Sequence, residues 1–531
     1  MLVASPPWKR SLFCRQRKIP DRRDCLDFGP INPQPVHFAM TTTPLRPLPR
    51  CIGIALLATL TACSAVGPDY QPPRSDLPAQ WQETTGKVAV TPASEVRSWW
   101  TLFKDPVLDS LIERALVANQ DLRIAETRIR EARAARRLAG SAMLPALNSS
   151  ANATRSRSFE NTALGATDLD LFQVGFDAGW EIDIFGSVRR SVEAAEATVA
   201  GTLENKRDVL VALAAEVARN YLELRGGQQR LAIARQNITN QEETVQLVRH
   251  RYDLGLSSEL ALEQAKNQLY MTQSLVPGLE TTTIQAMHQL ALLIDQQPQG
   301  LRQELSPEAI IPVLPPAIPL ALPSELLRRR PDIRRAERQL AAATAEIGVA
   351  TAELFPRFSL SALAGLESTS LSDLVTSGSR FWSVGPSVKW SLFDGGRARA
   401  GIDISEAQRD RAQITYEKTV LTALIEVETA LAAFSREQET NRTLRSAAAA
   451  GQRAATIARS QYQLGLTDFL AVLLSEQALY QSQDQLVQSE QRLTTGLVAL
   501  FKALGGGWET LEAQSRKDIA LVPESPEKSV R

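Results

Sequence analysis

Much of this chain is written twice. Val174, Gly175, Trp180 and Gly186 return as Val384, Gly385, Trp390 and Gly396, about 210 residues later. Within one residue, the same offset relates RYDLGL at 251 to QYQLGL at 461, DLRIAE at 121 to DIRRAE at 332, and Pro145 to Pro356. An internal duplication restricts the fold to two copies of one unit. The first copy, with an N-terminal segment, is assigned to residues 63–297 and the second to 324–508. Between them, residues 298–323 hold seven prolines, which preclude a long helix. Residues 509–531 form a polar tail.

Each copy contains a two-faced strand. In FQVGFDAGWEID, residues 172–183, the even positions Phe172, Val174, Phe176, Ala178, Trp180 and Ile182 are apolar, while the odd ones are polar or glycine. Such alternation describes a strand with one apolar and one polar face. Its echo places Trp382, Val384, Val388, Trp390 and Leu392 on one face, with Ser383, Gly385, Ser387 and Lys389 on the other. A second strand follows Pro356, where Phe358, Leu360, Ala362, Ala364 and Leu366 alternate, and a weaker counterpart lies at 147–154. Four strands of about 10 to 13 residues suit a tilted membrane crossing. A half-buried strand in a soluble sheet is the plainer alternative.

Four strands cannot close a barrel, and an open edge in lipid leaves backbone groups unpaired at several kcal/mol each. Two chains would make eight strands with a filled interior. Three make twelve, the smallest assembly of this unit with room for a pore.

The remainder reads as helix. From Ser187 to Tyr252 the only expected break is Gly226-Gly227, so the segment is a rod of roughly 100 Å. Leu231, Ala234, Ile238, Gln241, Val245, Val248 and Tyr252 step alternately by three and four, as do Leu262, Ala265, Leu269, Thr272, Val276, Leu279, Thr283, Ala286, Leu290 and Leu293. Such heptads are coiled-coil seams. Small residues at Ala448, Gly451, Ala455 and Ala458 let helices approach closely. Gly255 and Gly465 reverse the chain between paired helices. The expected class is mainly α with a small membrane β part: a trimeric twelve-stranded barrel continued by a helical barrel.

Residues 40–63 have the form of a signal peptide, with Arg46 and Arg50 before an apolar core from Cys51 to Leu60. The end, Leu60-Thr61-Ala62-Cys63, resembles a bacterial lipobox, which implies a diacylglycerol and an acyl chain on Cys63 and loss of residues 1–62. Ser64 then favours the outer membrane. Residues 1–39 fit no targeting pattern, and Met40 is the expected start. The chain has 59 basic and 59 acidic residues, nine basic and three acidic of them before Cys63. The rest therefore holds 50 basic and 56 acidic residues, a net charge of about −6, which argues against a nucleic-acid partner.

No catalytic or metal constellation stands out, so an enzyme is not expected and no cofactor beyond the lipid is assigned. His250 and His288 are isolated on heptad helices. Asp394-Gly395-Gly396 lacks a phosphate-loop lysine and reads as a strand-to-helix corner. The run Arg128 to Arg137 reads as a solvated helix face.

Over residues 51–508 the chain resembles the TolC-type outer-membrane factors, most closely their lipidated drug-efflux branch. The resemblance rests on LTAC (60–63), SWWTLFKDPVLDSLIERALVANQDLRIAE (98–126), RRRPDIRRAE (328–337), SLFDGGR (391–397), YQLGLTDFLAVL (462–473) and LFKALGGGW (500–508). It implies a homotrimer in the outer membrane of a Gram-negative bacterium, with a periplasmic helical part. It also implies a periplasmic adaptor docked on the helical tips, at Tyr252, Gly255, Leu256, Ser257, Tyr462, Gly465, Leu466 and Thr467, and an inner-membrane resistance-nodulation-division transporter. A periplasmic gate is implied near Asp468, Leu470, Leu474 and Glu476. Leu474 occupies the place where the family often has an Asp, which puts an acidic gate in question. An outer channel for protein secretion shares this architecture, and a nonconducting tether is a third reading.

Overall fold

The computed structural model describes residues 65–74, 77–82, 88–89, 95–159, 167–312, 318–319 and 323–513. The leader, Cys63 and residues 514–531 of the tail lie outside them. The duplication is explicit in the element lengths. The first copy contains α1 (Pro106–Ala118), α2 (Gln120–Ser141), β1 (Ala146–Arg157), β2 (Asp168–Ile182), α3 (Ser187–Asp253) and α4 (Glu259–Leu293). Then come α5 (Pro298–Leu305) and α6 (Pro323–Arg329), followed by α7 (Pro331–Ala352), β3 (Arg357–Ser368), β4 (Arg380–Lys389), α8 (Arg397–Gln463) and α9 (Phe469–Ala503). Helices α2 and α7 have 22 residues each, α3 and α8 have 67, and α4 and α9 have 35. At 1.5 Å per residue the long pair spans about 100 Å.

The four strands form one antiparallel sheet in the order β1-β2-β3-β4. Its register pairs Phe176 with Ser149 and Ala364, and Ala364 with Trp382, so apolar residues share a row across the sheet. β2 runs to 15 residues, longer than its sequence pattern predicts. Trp390 falls just beyond β4, and its Nε1 donates to Leu354 O at 3.1 Å. In the first copy Trp180 Nε1 donates to Met143 O at 3.0 Å. Each sheet-to-helix corner is tied by one aspartate. Asp183 accepts from Val188 N and Arg189 N at the start of α3, and Asp394 accepts from Gly396 N and Ala398 N at the start of α8. Gly186 and Gly396 precede those helices with φ of 83° and 89°, values glycine adopts without strain.

The helices build a layer four wide. Near the sheet the packing order is α2-α3-α7-α8; farther away α4 and α9 take over, in the order α4-α3-α9-α8. α4 meets α2 end to end, and α9 meets α7. Both joints use a side-chain donor on the last helical carbonyl: Asn119 Nδ2 reaches Leu293 O at 3.0 Å, and Arg330 Nη1 reaches Ala503 O at 2.8 Å. No described helix is long and apolar enough to cross a membrane.

The expected break at Gly226-Gly227 is absent. α3 runs straight through it, because these glycines serve packing. A Cβ on Gly226 would press on Gln491, and one on Gly227 would meet Thr283 Oγ1 at 2.8 Å. α4 likewise continues through Pro277, which removes one backbone donor yet sits on an exposed face where Gln273 O can take water.

Beside the middle of the layer lies an added apolar core. Trp99 stacks on Phe501 with ring centroids 5.5 Å apart, and both are buried with Leu108, Leu111, Leu290 and Leu301. Asp105 caps α1 and also accepts from the Tyr221 hydroxyl at 2.6 Å. Burial, then that bond, pushes the Tyr221 hydroxyl up to about 12.

Candidate channel wall and its two ends

The sheet presents its greasy side outward. Val174, Phe176, Trp180, Ile182, Leu360, Trp382, Val384 and Val388 share one face and are exposed. Water would penalise such a row, whereas lipid does not. From Trp382 to Trp390 the chain covers about 26 Å of strand rise, which at a barrel tilt of about 40° spans roughly 20 Å of the ~25 Å apolar band of outer-membrane barrels. On β1 this face carries only Leu147, Ser149, Ala151 and Ala153. It ends in two cross-strand ion pairs, Arg155–Asp170 at 3.6 Å and Arg157–Asp168 at 3.9 Å, which close the apolar band near the loop.

The opposite face is a polar ladder. Asn148 Nδ2 donates to Asp177 Oδ2 at 2.9 Å, and the Ser359 and Ser387 hydroxyls lie 2.7 Å apart. Phe381 also lies on this side. It covers Gly365, where a Cβ would meet the Gly175 Cα at 2.8 Å.

Both the sheet and the helical layer end in unpartnered edges on the same two sides. β1 and α2 bound one side, β4 and α8 the other. Edges in lipid must pair. Joining β4 of one copy to β1 of the next satisfies every edge only when the ring closes.

At the far end, Gly255 (φ 70°) and Gly465 (φ 75°) turn the chain. Leu256 N reaches Arg251 O at 2.8 Å and Leu466 N reaches Gln461 O at 2.9 Å, the paired bonds of a glycine-capped helix end. Leu254, Leu256, Leu464 and Leu466 are exposed, and Ser257 and Thr467 are partly so. The tyrosines differ. Tyr252 is exposed, but Tyr462 is buried, edge-on to Phe469 and beneath the Arg251 guanidinium, which also donates to Tyr462 O at 2.9 Å. Tyr462 is thus a joint between the two tips rather than outward surface. Arg251 carries no signal in the sequence, because its counterpart is Gln461 and the duplication does not repeat it.

The acids near the expected gate are both occupied. Asp468 caps α9 by accepting from Ala471 N at 3.2 Å. Glu476 accepts from Thr244 Oγ1 at 3.1 Å, and burial raises its carboxyl above the ordinary range. Leu470 and Leu474, one helical turn apart, are exposed. The described residues contain no group of His, Cys, Asp and Glu able to hold a metal ion.

Comparison with known proteins bears on this wall. The model of the outer membrane efflux protein family matches twice, at residues 111–295 and 322–506. The chain belongs to the outer membrane efflux protein family. The pyoverdine export outer membrane protein OpmQ of Pseudomonas aeruginosa is 33% identical over 475 residues, covering 87% of this chain and 99% of the relative. The toluene efflux pump outer membrane protein TtgI of Pseudomonas putida is 34% identical over 461 residues, 85% and 97% of the two chains. The cation efflux system protein CusC of Escherichia coli is 31% identical over 471 residues, 88% of this chain and 100% of its own. Among solved structures, the outer-membrane channel OprN superposes with a TM-score of 0.79 at 37% identity, covering 84% of this chain and 99% of that one. The protein is therefore an outer-membrane channel, three copies of which close the twelve-stranded barrel and the helical tube. The family is one of channels rather than enzymes.

Proposed function

We propose that this trimer is the outer component of a tripartite efflux pump, carrying small toxic compounds to the exterior. The observation that carries the reading is the shared pair of open edges on sheet and helical layer, which makes one continuous tube from membrane to tips. Relatives named for export of toluene, pyoverdine and cations support efflux of small species over protein secretion. A tether would need no sheet with an apolar outer face.

Cys63 is taken to carry the lipid, and the position of the chain just after it supports this. Val66 N donates to Phe185 O, and Ala65 packs on Gly186 at the corner where β2 leaves the membrane. Cys63→Ser should leave the precursor uncleaved and unacylated by intact mass. Docking of a periplasmic adaptor is assigned to the exposed tip leucines, and the partner pump to the resistance-nodulation-division class. The periplasmic gate is read as apolar, built from Leu470 and Leu474.

Leu256→Glu with Leu466→Glu keeps both turn glycines while charging the exposed tips. Trimer assembly should persist, but drug resistance and crosslinking to the adaptor should be lost. Full resistance at normal expression in that double variant would place docking elsewhere.

A further inference from the structure

A cavity of about 570 Å³ lies where α7 and α9 meet end to end, bounded by α3 on one side and α8 on the other. Two helix ends cannot interlock as continuous helices do. The small residues there, Ala430, Ala433, Ala499 and Gly505, leave the gap open, with Val211 and Ile425 completing an apolar floor.

The cavity opens on the face opposite the added core. On α8 that core takes Tyr416, Val420, Ala423, Val427, Leu431 and Phe434, whereas Ile425, Glu426, Thr429 and Ala433 point away from it. On α9 the core takes Leu497, Leu500 and Phe501, and the exposed Ala499 and Lys502 face away. A helical layer closed into a ring has a convex side with room for three extra layers and a concave side that must remain free to conduct. The core therefore sits outside and the cavity faces the bore.

At its rim, charge is nearly all spent. Arg330 is bound to Asp332 and Glu426 at 2.7 Å each, and Asp208 to Arg335 at 3.0 Å. Lys502 makes no ion pair among the described residues. The volume lies within the ~300–1,000 Å³ typical of small-molecule sites, whose usual composition is a mainly apolar lining with a few polar groups.

We infer that this is a binding station in the channel wall, three per trimer, for apolar organic molecules bearing one anionic group, which Lys502 meets. The inference rests on the bore assigned under the proposed function, so the test separates the two. All four cysteines of the sequence lie at or before Cys63, and Ala499→Cys supplies the sole thiol in residues 64–531. In purified trimers an anionic methanethiosulfonate should label this introduced thiol faster than a cationic one, and adding Lys502→Glu should reverse that order. Naphthalene-1-sulfonate at ten times its dissociation constant should slow labelling at position 499 about tenfold by mass action, without protecting a control Leu256→Cys at the tip. A thiol there that is unreactive, or equally reactive with and without the sulfonate, overturns the station. Planar-bilayer conductance of the same trimers tests the channel separately: conduction without protection sinks only the station, while protection without conduction sinks the bore.

Discussion

At the scale of single residues, the two copies solve one joint with different chemistry. Asn119 does so as a neutral cap, accepting from Leu122 N at 3.1 Å while donating to Leu293 O. Arg330 does so as a buried cation whose guanidinium also satisfies Asp332 and Glu426. Removing a neutral cap typically costs about 1 kcal/mol, whereas deleting the buried Arg330 cation costs about 3 kcal/mol, the low end for a buried charge network, because Asp332 is partly and Glu426 half exposed to water once unpaired. Asn119→Ala should therefore lower the urea midpoint of purified protein slightly and Arg330→Ala severely. Equal losses would mean that the arginine network contributes little beyond the shared carbonyl bond.

Elements respond as faces. Phe176→Arg places a charge on the lipid side of β2 at a cost of about 2–4 kcal/mol near the bilayer middle, repeated in each of three chains. Ser387→Lys on the polar side should be tolerated. Heat-resistant trimer on unheated gels reads the difference, and comparable loss from both would refute the assignment of faces. In the helical hairpins, Glu476 carries a pH dependence. Its folded pKa is raised by burial, so the stability linked to it is fully present below the unfolded pKa and falls as pH rises through the folded value. Gln keeps the bond from Thr244 without the buried charge. The melting temperature of Glu476→Gln should exceed that of the parent at pH 8, with the gap shrinking toward pH 5. A gap that does not change with pH would show that Glu476 is not the titrating group.

The whole molecule is defined by what one chain leaves uncovered. Ile414 and Leu421 on α8 are exposed in a single copy, and α8 is an edge helix of the layer. We expect Ile414→Glu with Leu421→Glu to abolish the trimer in native mass spectrometry while helix content by circular dichroism stays unchanged. Trimers at parental abundance would show that this row does not join the copies.

Much of this architecture was legible in the chain itself, because it depends on period and spacing. Strict alternation is specific to a two-faced strand, a three-four step to a seam, and a recurring Gly between heptads to a reversal; all are local, so the sequence determined them. The duplication then implied four strands, and edge pairing in lipid implied three chains. What only tertiary structure decided depends on neighbours far along the chain. Gly226 and Gly227 look like breaks until Gln491 and Thr283 are seen to fill the space a Cβ would need. Tyr462 looks like a tip residue until Arg251, 211 residues earlier, covers it. Glu476 looks like a free carboxylate until Thr244 binds it. Periodicity reports which face of an element is apolar, but not what that face meets, since contact partners are set by closure of the layer rather than by adjacent residues.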